Sequence, residues 1–306
     1  MLHGASWCST VRQHSEARSP HRQVTRSNQL VRTSEAFRQT KPYNQVMAHK
    51  DVHGKCPLCL KRRKLCKSHY LGRVLHKLSF TGSERPVVMT PKLIATSQRQ
   101  LWAHLLCVSC EQRLNDRGEK PVQALFNGAN SFPLLNRMEV AMAVKTEPTV
   151  VTYSGSAMGI DTEPLAYYAL SILWKGSVHK WTTLKGQKSS ITLGQHQEPI
   201  RRYLIGETGF PDGVYVIATA CTDVGSQEMV FAPNLMAGTQ YPMHSILARG
   251  LWFHIITADQ IVPGLDNLCC FRSGRRILHK ADCTEPFLQA GRFVHQTAVV
   301  SPELRR

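Results

Sequence analysis

The sequence predicts an α+β protein in which a cysteine-built metal module precedes a mixed α+β domain. Two Cys-x-x-Cys pairs, Cys56/Cys59 and Cys107/Cys110, supply the four soft ligands of a single ion. The strongest helical signal comes later, at 163–181, and beyond residue 200 the pattern turns to short apolar runs typical of strands. Length agrees: 306 residues, 42% of them apolar, suffice for one large or two ordinary domains with a real core.

Residues 1–46 stand apart from this plan. They hold six Arg and Lys41 against Glu16 and Glu35, are rich in Ser, Gln, Thr and His, and show no period of 2 or 3.6. Such a segment buries too little to offset its ordering entropy, so it is expected to be disordered. Three readings are open: a basic arm for nucleic acid, a targeting presequence, or translated sequence upstream of a start at Met47.

Net charge is +17, from 38 Lys and Arg against 21 Asp and Glu. Leaving out residues 1–46, 31 basic residues still face 19 acidic ones, a net +12. That balance favours a polyanionic partner, DNA or another nucleic acid or an anionic membrane surface, with nucleic acid the preferred reading; the plain alternative is a solvated basic face. No window approaches 18 uncharged apolar residues, so no membrane span is expected, and the first twenty residues lack the apolar stretch of a secretory signal. Ten cysteines, mostly paired, point to a reducing, cytoplasmic setting with a metal site rather than a disulfide framework. The chain has no Walker loop, dinucleotide fingerprint, G-x-S-x-G elbow or H-E-x-x-H.

The informative stretch is KCPLCLKRRKLCKSHYLGRVLHKL, followed by HLLCVSCEQRLNDRGE. Cys56, Cys59, Cys107 and Cys110 form the first-ranked ligand set for a structural Zn²⁺, each pair curling the backbone so that both sulfurs face the ion. A rival set, Cys56, Cys59, Cys66 and His69, would leave the second pair unexplained. After Cys110, Glu111 falls in a helical first turn, where negative charge suits the dipole, and Gly118 reads as the helix stop. A knuckle, a hairpin-like segment and a second knuckle on a helix start are the parts of a treble-clef module, placed at 47–149 with its flanking helices.

With Ser68-His69 between the pairs, this pattern resembles the zinc-bearing branch of the HNH endonucleases over about 55 to 65 residues. The resemblance implies a ββα-metal fold, hydrolysis of DNA phosphodiester bonds, His69 as general base, and a second divalent ion (Mg²⁺, Mn²⁺ or Ni²⁺) with Glu111 as a ligand. His104 and Asn115 are further ligand candidates. Ser68 stands where that family usually has Asp, and Gly72 where it usually has Pro. The plainer reading makes His69 a loop-holding histidine, Glu111 a dipole partner, and the whole a non-catalytic module for nucleic acid or a protein partner. Lys61, Arg62, Arg63, Lys64 and Lys67 lie between the first pair and His69, where they could meet a phosphate backbone without reading sequence, or form a solvated turn.

Beyond the module, short helices are expected within 71–78 and 119–126, and a domain boundary near residue 150. Residues 150–306 form the α+β domain. Its helix at 163–181 has Pro164 at the first position, capping groups at Asp161 and Thr162, and an apolar face of Leu165, Ala169, Ile172, Leu173 and Gly176. Strands are expected at 214–221, 228–232 and 251–258. Cys269, Cys270, His279 and Cys283 could form a second metal set, although adjacent cysteines make poor ligand pairs and buried thiols are the favoured reading.

Overall fold

In the computed structural model the described residues are 51–78, 87–90, 93–96, 100–126, 131–182, 188–236, 238–272, 274, 276–285 and 299–300. The expected extension at 1–46 lies outside them. The described residues begin with β1 (His53–Lys55) and β2 (Arg62–His69), joined through the first cysteine pair. Next come α1 (Arg73–Leu78), β3 (Val87–Thr90) and β4 (Leu93–Thr96). Strand β5 (Trp102–Cys107) returns to β2 in antiparallel register, His69 opposite Trp102 and Leu65 opposite Cys107, completing a ribbon in the order β1-β2-β5.

Helix α2 (Val108–Leu114) starts directly from β5, with Cys107 as its cap. It does not stop at Gly118 as the sequence suggested. The backbone passes into a π-helical turn, Asn115–Glu119, and on into α3 (Lys120–Gln123). Tertiary packing explains the difference. A Cβ at Gly118 would lie 3.1 Å from Tyr167 Cδ1 and 3.2 Å from Tyr168 Cα, so glycine lets this turn press against the next long helix.

After α4 (Pro133–Val140), β6 (Lys145–Thr146) and β7 (Val150–Ser154) pair as an antiparallel hairpin, Thr146 opposite Val151. The position near 150 chosen as a boundary therefore falls inside a hairpin. Helix α5 (Glu163–Val178) fulfils the best helical expectation, with Pro164 in its first turn. Asp161 Oδ1 accepts the Glu163 N–H at 3.1 Å, while the Thr162 hydroxyl donates away from the helix, to the Cys270 carbonyl. Burial goes further than the predicted stripe: every residue from Leu165 to Gly176 is buried. An all-round buried helix needs partners on all sides. The π-turn, α6 (Gln197–Ile205) and the main sheet supply them, with the β8 (Trp181–Thr182) and β9 (Lys188–Ser189) pair lying between α5 and α6 in sequence.

The main sheet has seven strands, ordered β11-β12-β13-β10-β14-β7-β6. Strand β10 (Val214–Cys221) matches the expected run, and α7 (Val224–Glu228) then displaces the start of β11 to Val230–Leu235. Strands β12 (Met243–Ala248) and β13 (Leu251–Thr257) form a hairpin through Arg249 and Gly250, both at positive φ. Strand β14 (Ile277–Ala281) lies parallel to β10 and antiparallel to β7. A short β15 (Val299–Val300) pairs with β4. One hydrophobic core runs from Cys56 through α5 to Leu278, and His49–Arg306 forms a single compact unit. No described helix is long and apolar enough to cross a membrane.

Gly118 tests the packing account. Gly118→Val drives a branched side chain into tyrosine backbone and should cost about 1–3 kcal/mol, the range for overpacking a tight site. Chemical denaturation should show a lower midpoint with an unchanged slope; an unchanged midpoint would contradict the packing.

Candidate functional site

The first knuckle closes because the Cys56 N–H donates to the Lys61 carbonyl (2.9 Å) and the Leu60 N–H to the Cys56 carbonyl (2.8 Å). Leu60 adopts a left-handed backbone, φ 61°, to turn the chain into β2. Across the ribbon, the Cys107 N–H lies 3.4 Å from Cys56 Sγ, and the Cys59 and Cys107 sulfurs are 3.8 Å apart. The four sulfurs of Cys56, Cys59, Cys107 and Cys110 all lie within 4.8 Å of one another, three of the residues buried. A tetrahedral ion with sulfur at ~2.3 Å has edges of about 3.8 Å. The four cysteines are thus positioned to bind a metal ion.

Their protons compete. The hydrogen bond from Cys110 pulls Cys56 well below the usual thiol range, while the same bond, with burial, pushes Cys110 far up. A divalent cation at the centre removes that conflict by stabilising every thiolate. Of the two ligand sets open in the sequence, the structure brings together the four-cysteine set. The Cys66 thiol instead donates to the Leu106 carbonyl at 3.1 Å, and His69 faces a neighbouring cleft.

That cleft has a volume of about 360 Å³ and is lined by Cys66, His69, Arg73, Val108, Glu111, Gln112, Asn115 and Glu119. His69 ends β2, and Glu111 and Asn115 lie one helical turn apart, so the antiparallel β2–β5 pairing sets strand end and helix face against one cavity. Ser68 is fully buried: its hydroxyl accepts the Leu106 N–H (3.2 Å) and donates to Glu111 Oε2 (2.7 Å). Ser68 therefore clips helix to ribbon. Burial raises Glu111 above the usual carboxylate range, with Lys175 and the Ser68 bond acting in the opposite direction. His104 lies elsewhere, exposed and edge-on to Trp102 at 5.6 Å.

The basic run is mostly exposed strand. Lys61, Arg62, Arg63, Lys64 and Lys67 are all exposed; Lys64 pairs with Asp51 at 2.6 Å, and Lys67 lies 4.5 Å over the ring of Trp102, which is 46% exposed.

Two cations from later in the chain, absent from the sequence reading, hold this region from behind. Lys175, 1% exposed, donates to the His69 carbonyl at 2.8 Å and lies 3.5 Å from Glu119 Oε1. Arg201 donates to the Leu58 carbonyl at 2.7 Å while pairing with Glu198 and Glu207. Lys175 left a signal, being the lone charge within the apolar run 165–176; Arg201, beside Arg202 in an amphipathic helix, left none. The second set considered from sequence is not assembled. Cys269 packs with Tyr215, Cys270 joins the main core, and Cys283 lies with Cys221. Comparison with protein-family models, with curated proteins and with solved structures gives no match to the chain.

Cys107→Ser should abolish metal retention and destabilise the ribbon, because a closed thiolate site contributes folding free energy. Cys66→Ser should retain the ion. Metal content after gel filtration tests both; retention in the first variant and loss in the second would reverse the ligand assignment. Lys175→Met leaves Glu119 and the His69 carbonyl without their buried cation and should cost about 3–5 kcal/mol. Adding Glu119→Gln should recover part of the loss in a double-mutant cycle; strict additivity would show that the ion pair is uncoupled.

Proposed function

We propose that the chain is a zinc-stapled, HNH-like endonuclease that hydrolyses phosphodiester bonds in DNA, with a treble-clef module at its centre. The observation that carries this reading is the shared cleft: His69 from the strand end and Glu111 and Asn115 from the helix border one cavity beside the four-cysteine cluster. Four thiolates in a closed set favour zinc, in a structural role.

In this reading His69 accepts the proton of the attacking water; an imidazole is suited to that exchange near neutral pH. A hard divalent ion, when bound, would neutralise charge on the phosphate. Glu111 and Asn115 offer the oxygen ligands for it. Among the described residues the cleft gathers no tight group of three His, Cys, Asp or Glu. That fits an ion such as Mg²⁺, commonly held by one or two carboxylates together with substrate phosphates. Lys61, Arg62, Arg63 and Lys67 would meet the backbone, and the exposed Trp102 under Lys67 adds a stacking surface.

One observation favours a second reading, a zinc module that binds nucleic acid without cutting it. Ser68, where the resemblance would place a metal-binding Asp, donates to Glu111 and accepts the Leu106 N–H, clipping helix to ribbon. Incubating the full chain with supercoiled plasmid and Mg²⁺, Mn²⁺ or Ni²⁺ separates the two. Nicking is expected for the wild type and should fall at least ~100-fold in His69→Ala, the usual contribution of a general base. Salt-dependent binding with no cleavage under any ion would establish the second reading.

A further inference from the structure

Within the seven-stranded sheet, β10 and β14 run parallel, and their carboxyl ends bring together residues far apart in the chain. Cys221 ends β10, Asp223 follows it by two residues, and Cys283 lies just beyond β14. The two sulfurs and a carboxylate oxygen of Asp223 all lie within 4.8 Å of one another. Cys221 is fully buried and Cys283 is 4% exposed, and both belong to one buried cluster with Leu247 and Trp252.

Backbone bonds hold the three in place. The Cys221 N–H donates to the Gly250 carbonyl at 2.8 Å and the Thr222 N–H to the Ala281 carbonyl at 2.9 Å. Asp223 Oδ1 accepts the Ser226 N–H (2.7 Å) and Oδ2 the Cys283 N–H (3.0 Å), so the carboxylate is oriented by two donors. Each oxygen retains a second lone pair. Ligating carboxylates are typically fixed by such outer hydrogen bonds. A carboxylate held against two enclosed thiols is an unfavourable neighbour for an apolar core, and a cation among them reverses the sign of that interaction.

We propose that Cys221, Asp223 and Cys283 form a second metal site, taking a borderline-soft divalent ion of the zinc type. Two thiolates and a carboxylate select such an ion over Mg²⁺ or Ca²⁺. Three protein ligands leave the fourth tetrahedral position to water or an added ligand, unlike the closed four-cysteine set. This site is independent of the nuclease reading and stands on the opposite half of the sequence.

The test uses the full chain, equilibrated with Zn²⁺ under reducing conditions, desalted, and measured for metal by elemental analysis and native mass spectrometry. Two zinc ions per chain are expected for the wild type and one for Cys221→Ser and Cys283→Ser. Because either serine variant could misfold, Asp223→Ser provides a milder one. It retains a helix-capping acceptor and should weaken the second ion by at least about tenfold, the effect of losing even an outer partner. A wild-type chain that saturates at one ion, or serine variants that still hold two, would overturn the proposal. So would a disulfide between Cys221 and Cys283 found by peptide mapping of the reduced preparation.

Discussion

Two buried cations, Lys175 and Arg201, donate to main-chain carbonyls at either end of the first knuckle and its following strand, and the placement of the cysteine cluster depends on them. A charged side chain enters a core only when its hydrogen-bonding capacity is met. Lys175 meets it with the His69 carbonyl and Glu119; Arg201 divides its planar fork between the Leu58 carbonyl and two glutamates. The cost of burial is thereby turned into geometry. The loop bearing Cys56 and Cys59 and the strand end bearing His69 are each fixed from behind by a helix that contributes no ligand.

Helix α5 transmits this order. Its neighbours include the glycine-lined π-turn and strands of the main sheet, and it carries Lys175 near its carboxyl end. Close by, Tyr70 stacks on Trp181 at 4.6 Å, joining the residue after His69 to the strand after α5. The cysteine module is thus one wall of a shared core rather than an appended finger.

Much of this was legible in the sequence, for identifiable reasons. The four-cysteine set arrives as two local Cys-x-x-Cys pairs, so it could be read from spacing alone. Strands β10 and β13 are continuous apolar runs. Strand β12 escaped because His244 and Ser245 interrupt its pattern, although both are buried. The helix stop assigned to Gly118 rested on a local rule that long-range packing overrides. In the cleft, Glu111 and Asn115 were recognised, whereas Ser68's double hydrogen bond and the Lys175 contact depend on segments distant in the chain. The pairing of Cys221 with Cys283 depends on a parallel strand register, which leaves no local trace.

The span between the cysteine pairs has a consequence for how such chains vary. Cys59 and Cys107 are 48 positions apart, and their sulfurs meet across β2 and β5. Closing a flexible loop becomes more costly only with the logarithm of its length, ~0.6 kcal/mol per doubling. By that rule, added length between the pairs would weaken the clamp very little so long as it spares α1, whose Leu75 is buried in the shared core. The knuckles and the paired strand ends are held to a fixed geometry, whereas the length of chain between them bears only weakly on it, so such chains can differ in that span without rebuilding their centre.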